Sequence, residues 1–238
     1  RIENFDIYTD WKTTNGKVNG CLEFNGSNNY ISLGQQTDLH NLAASSNGYS
    51  INGWIKLPNY ITTSANLDII CNGGTLATEG TYLTYISDLG SNGSAYLSSS
   101  LTTSSGLQIS NGSGSGISLG DWHMITNIYH SSNTTLENYI DGTFNSSTIL
   151  AGTITSTPTV DTYVGSRDTT SGFFRGDMDE LRIYNTSLTR EEISDLYTYG
   201  NEIKGKMTFA VQDGSNTWND TTHGFTLDDT GSIQGLNI

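Results

Sequence analysis

Basic residues, cysteine and proline are all scarce in this sequence of 238 residues. There are 10 Lys and Arg against 24 Asp and Glu, so the formal net charge is −14. Nucleic acids and anionic membrane surfaces are both bound through basic patches, so neither is expected as a partner. No run of about 18 apolar residues occurs, which argues against a transmembrane helix and membrane insertion.

Charged residues make up only 14% of the chain, whereas aromatic residues make up 10%. Low charge density and aromatic side chains argue against intrinsic disorder, because such a chain can bury a core. Gly, Ser, Thr and Asn supply most of the polarity, a composition that we associate with β proteins that are secreted or lie at a cell or virion surface. The chain begins with Arg1 rather than Met, so we interpret it as a mature or trimmed product.

The two cysteines, Cys21 and Cys71, both lie in apolar stretches. In an oxidising compartment they could form a disulfide, and otherwise they are two small buried hydrophobic side chains. The sequence leaves both alternatives open. No Cys/His spacing typical of zinc sites is present.

Short apolar stretches alternate with clusters of Gly, Asn and Ser along most of the chain. In residues 49–57, Ile51, Ile55 and Leu57 recur at even spacing, which is the period of a strand. Turn signals recur about every 8–15 residues, as in all-β sandwiches. The other predicted strands are 21–24, 30–33, 67–71, 81–87, 94–100, 106–110, 121–130, 134–141, 147–150, 161–165 and 173–184.

One segment near the C-terminal end has helical signals. Thr189 and Glu192 have the spacing of a capping box, in which the Thr hydroxyl accepts from the Glu192 amide and the Glu carboxylate from the Thr189 amide. Leu188 and Ile193 occupy the positions of a hydrophobic staple. The pattern predicts a short helix over 190–199, packed at the edge of the sandwich.

Five segments carry the most informative motifs. They are NGKVNGCLEFNG at 15–26, SINGWIK at 50–56, GDWHMI at 120–125, YIDG at 139–142 and GDMDELRIYNTSLTREEI at 176–193. In type and order they resemble laminin G-like domains of the concanavalin A-like group, in which G-x-I-D-E-V-R-I-Y-N is followed by L-S-x-E-E-I and a short helix. The resemblance implies an all-β fold, a two-sheet antiparallel jelly-roll sandwich with one short C-terminal helix. It does not imply one activity, because a fold hosts many functions.

One part of the family pattern is displaced. The family opens with an edge-forming strand of the type L-V-A-Y-W-x-F-D-x-G, and no such stretch precedes residue 15. A similar stretch, KMTFAVQDGS, lies at 206–215, where Met207, Phe209 and Val211 alternate with other residues.

We therefore expect two parts in the chain. Residues 1–200 form a laminin G-like sandwich that lacks its usual opening strand, which leaves unpaired backbone groups and an open core seam. Residues 201–238 form a linker and a displaced strand at 207–212 that completes the same or a neighbouring sandwich. Three arrangements remain open: a circularly permuted monomer, head-to-tail exchange between identical subunits, and a tandem array cut out of phase.

Catalytic constellations are not found in the sequence. Retaining glucanases of this sandwich class need two carboxylates about 5 Å apart, and the nearest cluster is Asp177, Asp179 and Glu180 on the predicted closing strand. His123 falls in the GDWHMI match, where we expect a packing or hydrogen-bonding role. We therefore do not predict an enzyme.

Calcium is the cofactor that the resemblance implies, because lectin-like sandwiches often bind Ca²⁺ through carboxylates and backbone carbonyls. Asp179 is the best ligand candidate. Asp213 and Asp220 would come near it if residues 207–227 took the position of the opening strand. The alternative is that Asp179 accepts hydrogen bonds from backbone amides.

A glycan site would need an aromatic platform with hydrogen-bonding side chains around it. Trp54 and Trp122 are expected in the core. The aromatic residues that qualify by type alone are Tyr60, Tyr82, Tyr85, Tyr96 and Trp218.

The main hypothesis is a non-catalytic extracellular surface module that assembles with copies of itself, as a fibre or filament subunit, by strand complementation. Its strand-exchange residues would be Met207, Phe209 and Val211. The alternative is a carbohydrate-binding adhesin module that acts as a monomer on glycans. A third possibility, a glycoside hydrolase, is disfavoured by the missing pair of acids.

Overall fold

The alternating apolar stretches form two antiparallel sheets of seven strands each. The computed structural model describes residues 2–4, 10–18, 20–61, 66–73, 78–87, 95–112, 116–154, 159–202, 211–212, 218–219, 226–227 and 233–234. The chain divides into two units, Arg1–Tyr197 and Thr198–Ile238.

The described residues of the first unit form fourteen strands. In chain order they are β1 (Ile2–Glu3), β2 (Trp11–Lys12), β3 (Cys21–Asn25), β4 (Tyr30–Gly34), β5 (Tyr49–Lys56), β6 (Leu67–Asn72), β7 (Tyr82–Ser87), β8 (Tyr96–Thr103), β9 (Gly106–Ser110), β10 (Trp122–His130), β11 (Thr135–Ile140), β12 (Thr143–Ile149), β13 (Thr162–Val164) and β14 (Arg175–Tyr184). The first sheet has the order β1-β4-β13-β6-β7-β8-β9, and the second has the order β12-β11-β10-β5-β14-β3-β2. The predicted fold class, an all-β two-sheet sandwich, is confirmed.

In the part of the chain that the structure describes, two helices accompany the sheets: α1 (Thr37–His40) and α2 (Arg190–Glu202). The capping box of α2 is present, since the Thr189 amide donates to Glu192 Oε2 at 2.8 Å and the Glu192 amide donates to Thr189 Oγ1 at 3.2 Å. The helix was predicted over 190–199, and its start is confirmed. The short helix α1 was not predicted, because four residues carry too little periodicity to show in a sequence.

The core lies between the inner faces of the two sheets. It includes Ile51, Ile55 and Ile125 from the second sheet and Leu97 and Leu101 from the first, all essentially without exposure. Burial of this kind stabilises a sandwich by about 25 cal/mol per Å² of apolar surface.

Polar side chains also bridge the two sheets inside the core. Ser99 of β8 donates to Asn138 Oδ1 of β11 at 2.8 Å, and Thr84 of β7 donates to Asn127 Oδ1 of β10 at 3.4 Å. All four side chains are buried. Because a buried polar group is costly unless it is paired, these contacts fix which strands face each other.

The hairpin between β11 and β12 has the two-residue turn that its sequence indicates. Asp141 and Gly142 have φ of 52° and 75°, so both central residues are left-handed, as in a type I′ turn. The tight turn lets β12 begin at Thr143, earlier than the predicted strand over 147–150.

The residues before position 15 contribute to both sheets. Strand β1 pairs with β4, and β2 pairs with β3, each over two residues. The described part of this segment therefore supplies short edge strands.

The few described residues of the second unit beyond α2 form two small hairpins. Strand β15 (Val211–Gln212) pairs with β16 (Trp218–Asn219), and β17 (Thr226–Leu227) pairs with β18 (Ile233–Gln234). Met207 and Phe209 lie outside the described residues. Val211 begins β15 and pairs with Asn219. The displaced strand at 207–212 therefore stays a prediction.

Candidate functional site

Helix α2 packs on the outer face of the second sheet. Ile193 is fully buried and joins a cluster with Leu188, Trp54 and Met124. The ring of Tyr197 stacks on Trp54 with 5.6 Å between centroids. Leu188 and Ile193 are the expected staple residues, and Trp54 is buried as predicted. The side of β5 that carries Trp54 is therefore occupied by the protein itself.

Aromatic rings gather on the outer face of the first sheet. Tyr163 lies opposite Ser32 in the ladder between β13 and β4, and Val164 lies opposite Ile31. Since successive residues of a strand point to opposite faces, Val164 and Ile31 face the core while Tyr163 and Tyr30 face outward.

The ring of Tyr30 contacts the rings of Tyr163 and Phe173, and we call these three residues the tyrosine cluster. The Tyr30 centroid lies 5.8 Å from that of Tyr163 and 6.4 Å from that of Phe173. All three side chains are partly exposed. The cluster therefore combines fixed ring positions with access from solvent, which suits a binding platform.

Tyr163 is held by a neighbouring carboxylate. Its hydroxyl donates to Asp161 Oδ2 at 3.2 Å. Burial, and then the charge of Asp161, raises the pKa of Tyr163 to about 12. The phenol therefore stays a neutral hydrogen-bonding group at physiological pH.

An ion pair lies beside the cluster, formed by Asp68 of β6 and Arg167 of the loop after β13. Arg167 donates from Nε to Asp68 Oδ2 at 2.8 Å and from Nη2 to Asp68 Oδ1 at 3.2 Å. The Asp68 side chain is fully buried, and that of Arg167 is 29% exposed. Burial raises the pKa of Asp68 to about 6, although Arg167 opposes the shift. Gly172, with φ of 69°, allows the loop to approach, because a Cβ there would collide with the Asp68 carboxylate.

The loop that carries Arg167 and Phe173 is ordered by Asp168. Oδ1 of Asp168 accepts from the amide and the hydroxyl of Thr170, each at 2.8 Å, and Oδ2 accepts from the Ser171 hydroxyl at 3.0 Å. Partial burial opposes ionisation, but these hydrogen bonds outweigh it and lower the pKa of Asp168. The loop thus keeps an ionised carboxylate next to the cluster.

The predicted metal ligands are not brought together in the described structure. Asp179 is 8% exposed and accepts from the Val18 amide at 2.7 Å, the alternative role considered for it. Burial raises its pKa, and the Val18 hydrogen bond opposes this. Asp213 and Asp220 lie outside the described residues. Within those residues no group of three or more His, Cys, Asp or Glu side chains could hold a metal ion, so calcium stays a prediction.

His123 makes the hydrogen bonds expected of it. Its Nδ1 contacts Asp141 Oδ2 and its Nε2 contacts Ser118 Oγ, each at 2.7 Å. Ser118 also lies 3.2 Å from Asp121 Oδ2, to which it donates. A hydroxyl has one proton, so a Ser118 that donates to Asp121 accepts from His123 rather than being activated by it. The arrangement fastens the hairpin turn to its neighbouring loop.

Asp177, the other carboxylate considered for catalysis, lies on β14 between Glu23 of β3 and Lys56 of β5. Glu23 is bound to Lys12 at 2.6 Å. Burial raises the pKa of Asp177, and Lys12 opposes this.

The aromatic residues chosen by type have different surroundings. Tyr82 and Tyr85 are buried, Tyr96 is partly exposed and Tyr60 is 74% exposed. The side chain of Trp218 lies outside the described part of the chain. Trp122, which was expected in the core, is only partly buried and packs against the cluster under α2.

The cysteines lie on different sheets. Cys21 is on β3 and Cys71 is on β6, and both are buried free thiols. Burial raises the pKa of both, to about 12 for Cys21. The structure corresponds to the second alternative, two small hydrophobic side chains.

Sequence reasoning missed the tyrosine cluster. Alternation in Tyr30-Ile31-Ser32-Leu33 already places Tyr30 on the face opposite the apolar pair, and Thr162 and Val164 flank Tyr163 in the same way. The missing information was that β4 and β13 are neighbours although they are far apart in the sequence.

A family model for concanavalin A-like lectins and glucanases matches residues 25–194, more than half of the chain. The chain belongs to this superfamily. The match confirms the family predicted from the five motifs. No curated protein sequence matches the chain closely enough to count as a relative.

Solved structures with the same fold include several carbohydrate-binding domains. Domain 4 of AbnA, an extracellular GH43 arabinanase from Geobacillus stearothermophilus, in complex with arabinotriose, has a TM-score of 0.56 and 23% identity over 79% of this chain and 81% of its own. The CBM40 domain of the Ruminococcus gnavus IT-sialidase, bound to α2,3-sialyllactose, has a TM-score of 0.58 and 12% identity over 74% of this chain and 96% of its own.

The binding domain of botulinum neurotoxin serotype G has a TM-score of 0.59 and 17% identity over 86% of this chain. Only 46% of that domain is covered. At these identities the likeness is one of fold. Among the described residues, no helix is both long and apolar enough to cross a membrane.

Proposed function

We propose that this protein is a non-catalytic, extracellular carbohydrate-binding module, and that its tyrosine cluster is the sugar platform. The observation that carries the proposal is the contact of Tyr30 with Tyr163 and Phe173 on an outer sheet face, where the three rings stay partly exposed. Sugar rings have apolar C–H faces that pack on aromatic rings, and hydroxyl groups that need acceptors nearby. The structures bound to arabinotriose and sialyllactose support this use of the fold.

The charges around the cluster favour a neutral sugar. The hydrogen bonds described above for the carboxylates of Asp161 and Asp168 come from hydroxyl and amide groups, not from basic side chains. The guanidinium of Arg167 is already paired with Asp68. An anionic glycan would face repulsion here and from the net charge of −14. Carboxylates accept hydrogen bonds from sugar hydroxyls well. We therefore expect neutral oligosaccharides to bind in preference to sialylated ones.

Isothermal titration with arabinotriose and α2,3-sialyllactose, followed by a panel of neutral and acidic glycans, tests the proposal. The panel is run with Ca²⁺ and with a chelator, so that the predicted calcium dependence is measured as well. We expect a neutral glycan to bind. No binding to any glycan under either condition would refute the proposal.

The residues are tested with matched tyrosine variants. Tyr163→Ala removes a ring of the cluster, and we expect affinity to fall at least about tenfold, which corresponds to about 1.4 kcal/mol. Tyr60→Ala removes an exposed tyrosine outside the cluster and should leave affinity unchanged. If a glycan binds and both variants bind it equally well, the site lies elsewhere.

A further inference from the structure

An apolar groove opens at one side of the sandwich, between the ends of the two sheets. It has a volume of about 360 Å³. The lining comes from β2, β3 and β14 in the second sheet and from β4 and β13 in the first. Its main apolar residues are Leu22, Ile31, Leu33, Val164, Leu181 and Ile183.

The groove side chains face the core without being fully enclosed. Leu22, Leu33, Leu181 and Ile183 pack against the core cluster but stay partly exposed, whereas core residues of the central strands, such as Ile51, have no exposure. Burying apolar surface that is exposed at a core seam is favourable. An apolar chain segment that covers this groove is therefore stabilised there.

A strand edge borders the same groove. Pairing of β14 with β3 ends at Met178, whereas pairing of β14 with β5 continues to Tyr184. In the described ladders, Arg182–Tyr184 is therefore paired on one side only. A free strand edge beside an apolar groove is the geometry used for β-strand addition, in which main-chain hydrogen bonds hold a strand and alternate side chains fill the groove.

The chain contains a segment with the matching pattern. In residues 206–212, Met207, Phe209 and Val211 alternate with other residues, and alternate residues of a strand recur about every 6.6 Å along one face. Leu181 and Ile183, which line the groove, are likewise two positions apart along β14.

Charge complementarity supports the same pairing. Lys204 and Lys206 precede the apolar residues in a chain with only 10 basic residues. Asp179 and Glu180 line the groove. Asp179 accepts from the Val18 amide and Glu180 is paired with Arg182, but the described residues that line the groove include no basic side chain. A segment with basic residues at its start is therefore attracted to this side of an acidic chain.

We infer that residues 206–212 of a second copy of this chain occupy the groove by adding a strand to the free edge of β14. In the structure Val211–Gln212 is one strand of a hairpin in the unit 198–238, and a hairpin strand has one outer edge left for pairing. Each copy has one groove and one such segment, so the contact is head-to-tail and builds linear assemblies.

Two variants of the full chain test the inference by complementation. Phe209→Asp disables the inserted segment, and Ile183→Asp disables the groove. Light scattering coupled to size exclusion should show concentration-dependent assemblies for the unmodified chain and monomers for each variant alone. An equimolar mixture of the two should give a 1:1 dimer, because one intact groove and one intact segment remain. Thr208→Asp, next to Phe209 but on the opposite strand face, is the control and should still assemble.

A second measurement keeps the inference testable if Ile183→Asp does not fold, which circular dichroism would show. A fluorescent peptide of residues 204–213 is titrated into the Phe209→Asp protein, with a scrambled peptide as control. Binding at least about tenfold tighter than the scrambled peptide is expected. Absence of peptide binding overturns the inference. The inference is also overturned if the unmodified chain is a monomer. If in that case the peptide binds the Phe209→Asp protein but not the unmodified chain, the segment fills the groove of its own chain.

Discussion

Methionine in place of Arg167 removes the charge that faces Asp68 and keeps a long, flexible side chain. Asp68 is fully buried, and its two carboxylate oxygens accept from Nε and Nη2 of Arg167 at 2.8 and 3.2 Å. In the variant the carboxylate keeps its desolvation cost and loses its partner. Burial already raises the pKa of Asp68 to about 6, so the loss of the guanidinium raises it further.

Removing one partner of a buried ion pair costs about 3–5 kcal/mol. Arg167 is 29% exposed, so we expect a loss of about 3 kcal/mol near neutral pH, the lower end of that range. The folded-state pKa of Asp68 lies above its ordinary value, so the folded state binds more protons than the unfolded state between about pH 4 and 6. Stability from this group therefore rises as the pH falls. The loss in Arg167→Met should shrink below about pH 6, where Asp68 is protonated in both proteins.

Urea unfolding at about pH 7.5 and about pH 5, monitored by fluorescence and circular dichroism, measures this difference. The control is Arg182→Met, because Arg182 pairs with Glu180 on a partly exposed part of β14. We expect that control to lose less than about 1 kcal/mol. Equal losses for Arg167→Met at the two pH values, or a loss no greater than that of the control, would refute the reasoning.

Three further substitutions have expected outcomes that urea unfolding can check. Thr189→Ala removes the hydroxyl that accepts from the Glu192 amide and should cost about 1 kcal/mol, with a smaller additional effect when Glu192→Ala is added. Ile193→Ala leaves a cavity under α2, where Ile193 has no exposure, and should cost about 2–5 kcal/mol. Gly165→Ala should cost about 2 kcal/mol or more, because φ there is 79° and the new Cβ would collide with the Phe24 ring. Losses below about 0.5 kcal/mol would contradict each of them.

The two proposals use opposite faces of one strand. Tyr30 of β4 points outward into the tyrosine cluster, and its neighbour Ile31 lines the apolar groove. Sugar binding and strand addition therefore do not compete for the same side chains. Linear assembly of weak sugar-binding modules raises their apparent affinity for a polymeric glycan through multivalency. The Phe209→Asp variant separates sugar binding from assembly. It should keep the affinity of the unmodified chain for a short glycan and lose the additional apparent affinity for a polymeric glycan.

Local structure was predictable from local patterns. The capping box at Thr189 and Glu192 predicted the start of α2, because its hydrogen bonds join residues three positions apart. The tight turn at Asp141 and Gly142 likewise depends on local sequence, because few residues tolerate left-handed backbone. Alternation predicted most of the strands, since a strand with one face on a core must repeat every two residues.

Contacts between distant strands were decided by the tertiary structure alone. The tyrosine cluster requires β4 and β13 to be neighbours, and the Asp68–Arg167 pair joins residues 99 positions apart. Asn127 and Asn138 are core residues although their type indicates a surface position, because Thr84 and Ser99 of the opposite sheet satisfy them. The amino-acid sequence determined the elements, the family and the polar, acidic character of the chain, because these depend on composition and short-range geometry. Which side chains meet at a site depends on strand order, and strand order is settled only when the whole core packs.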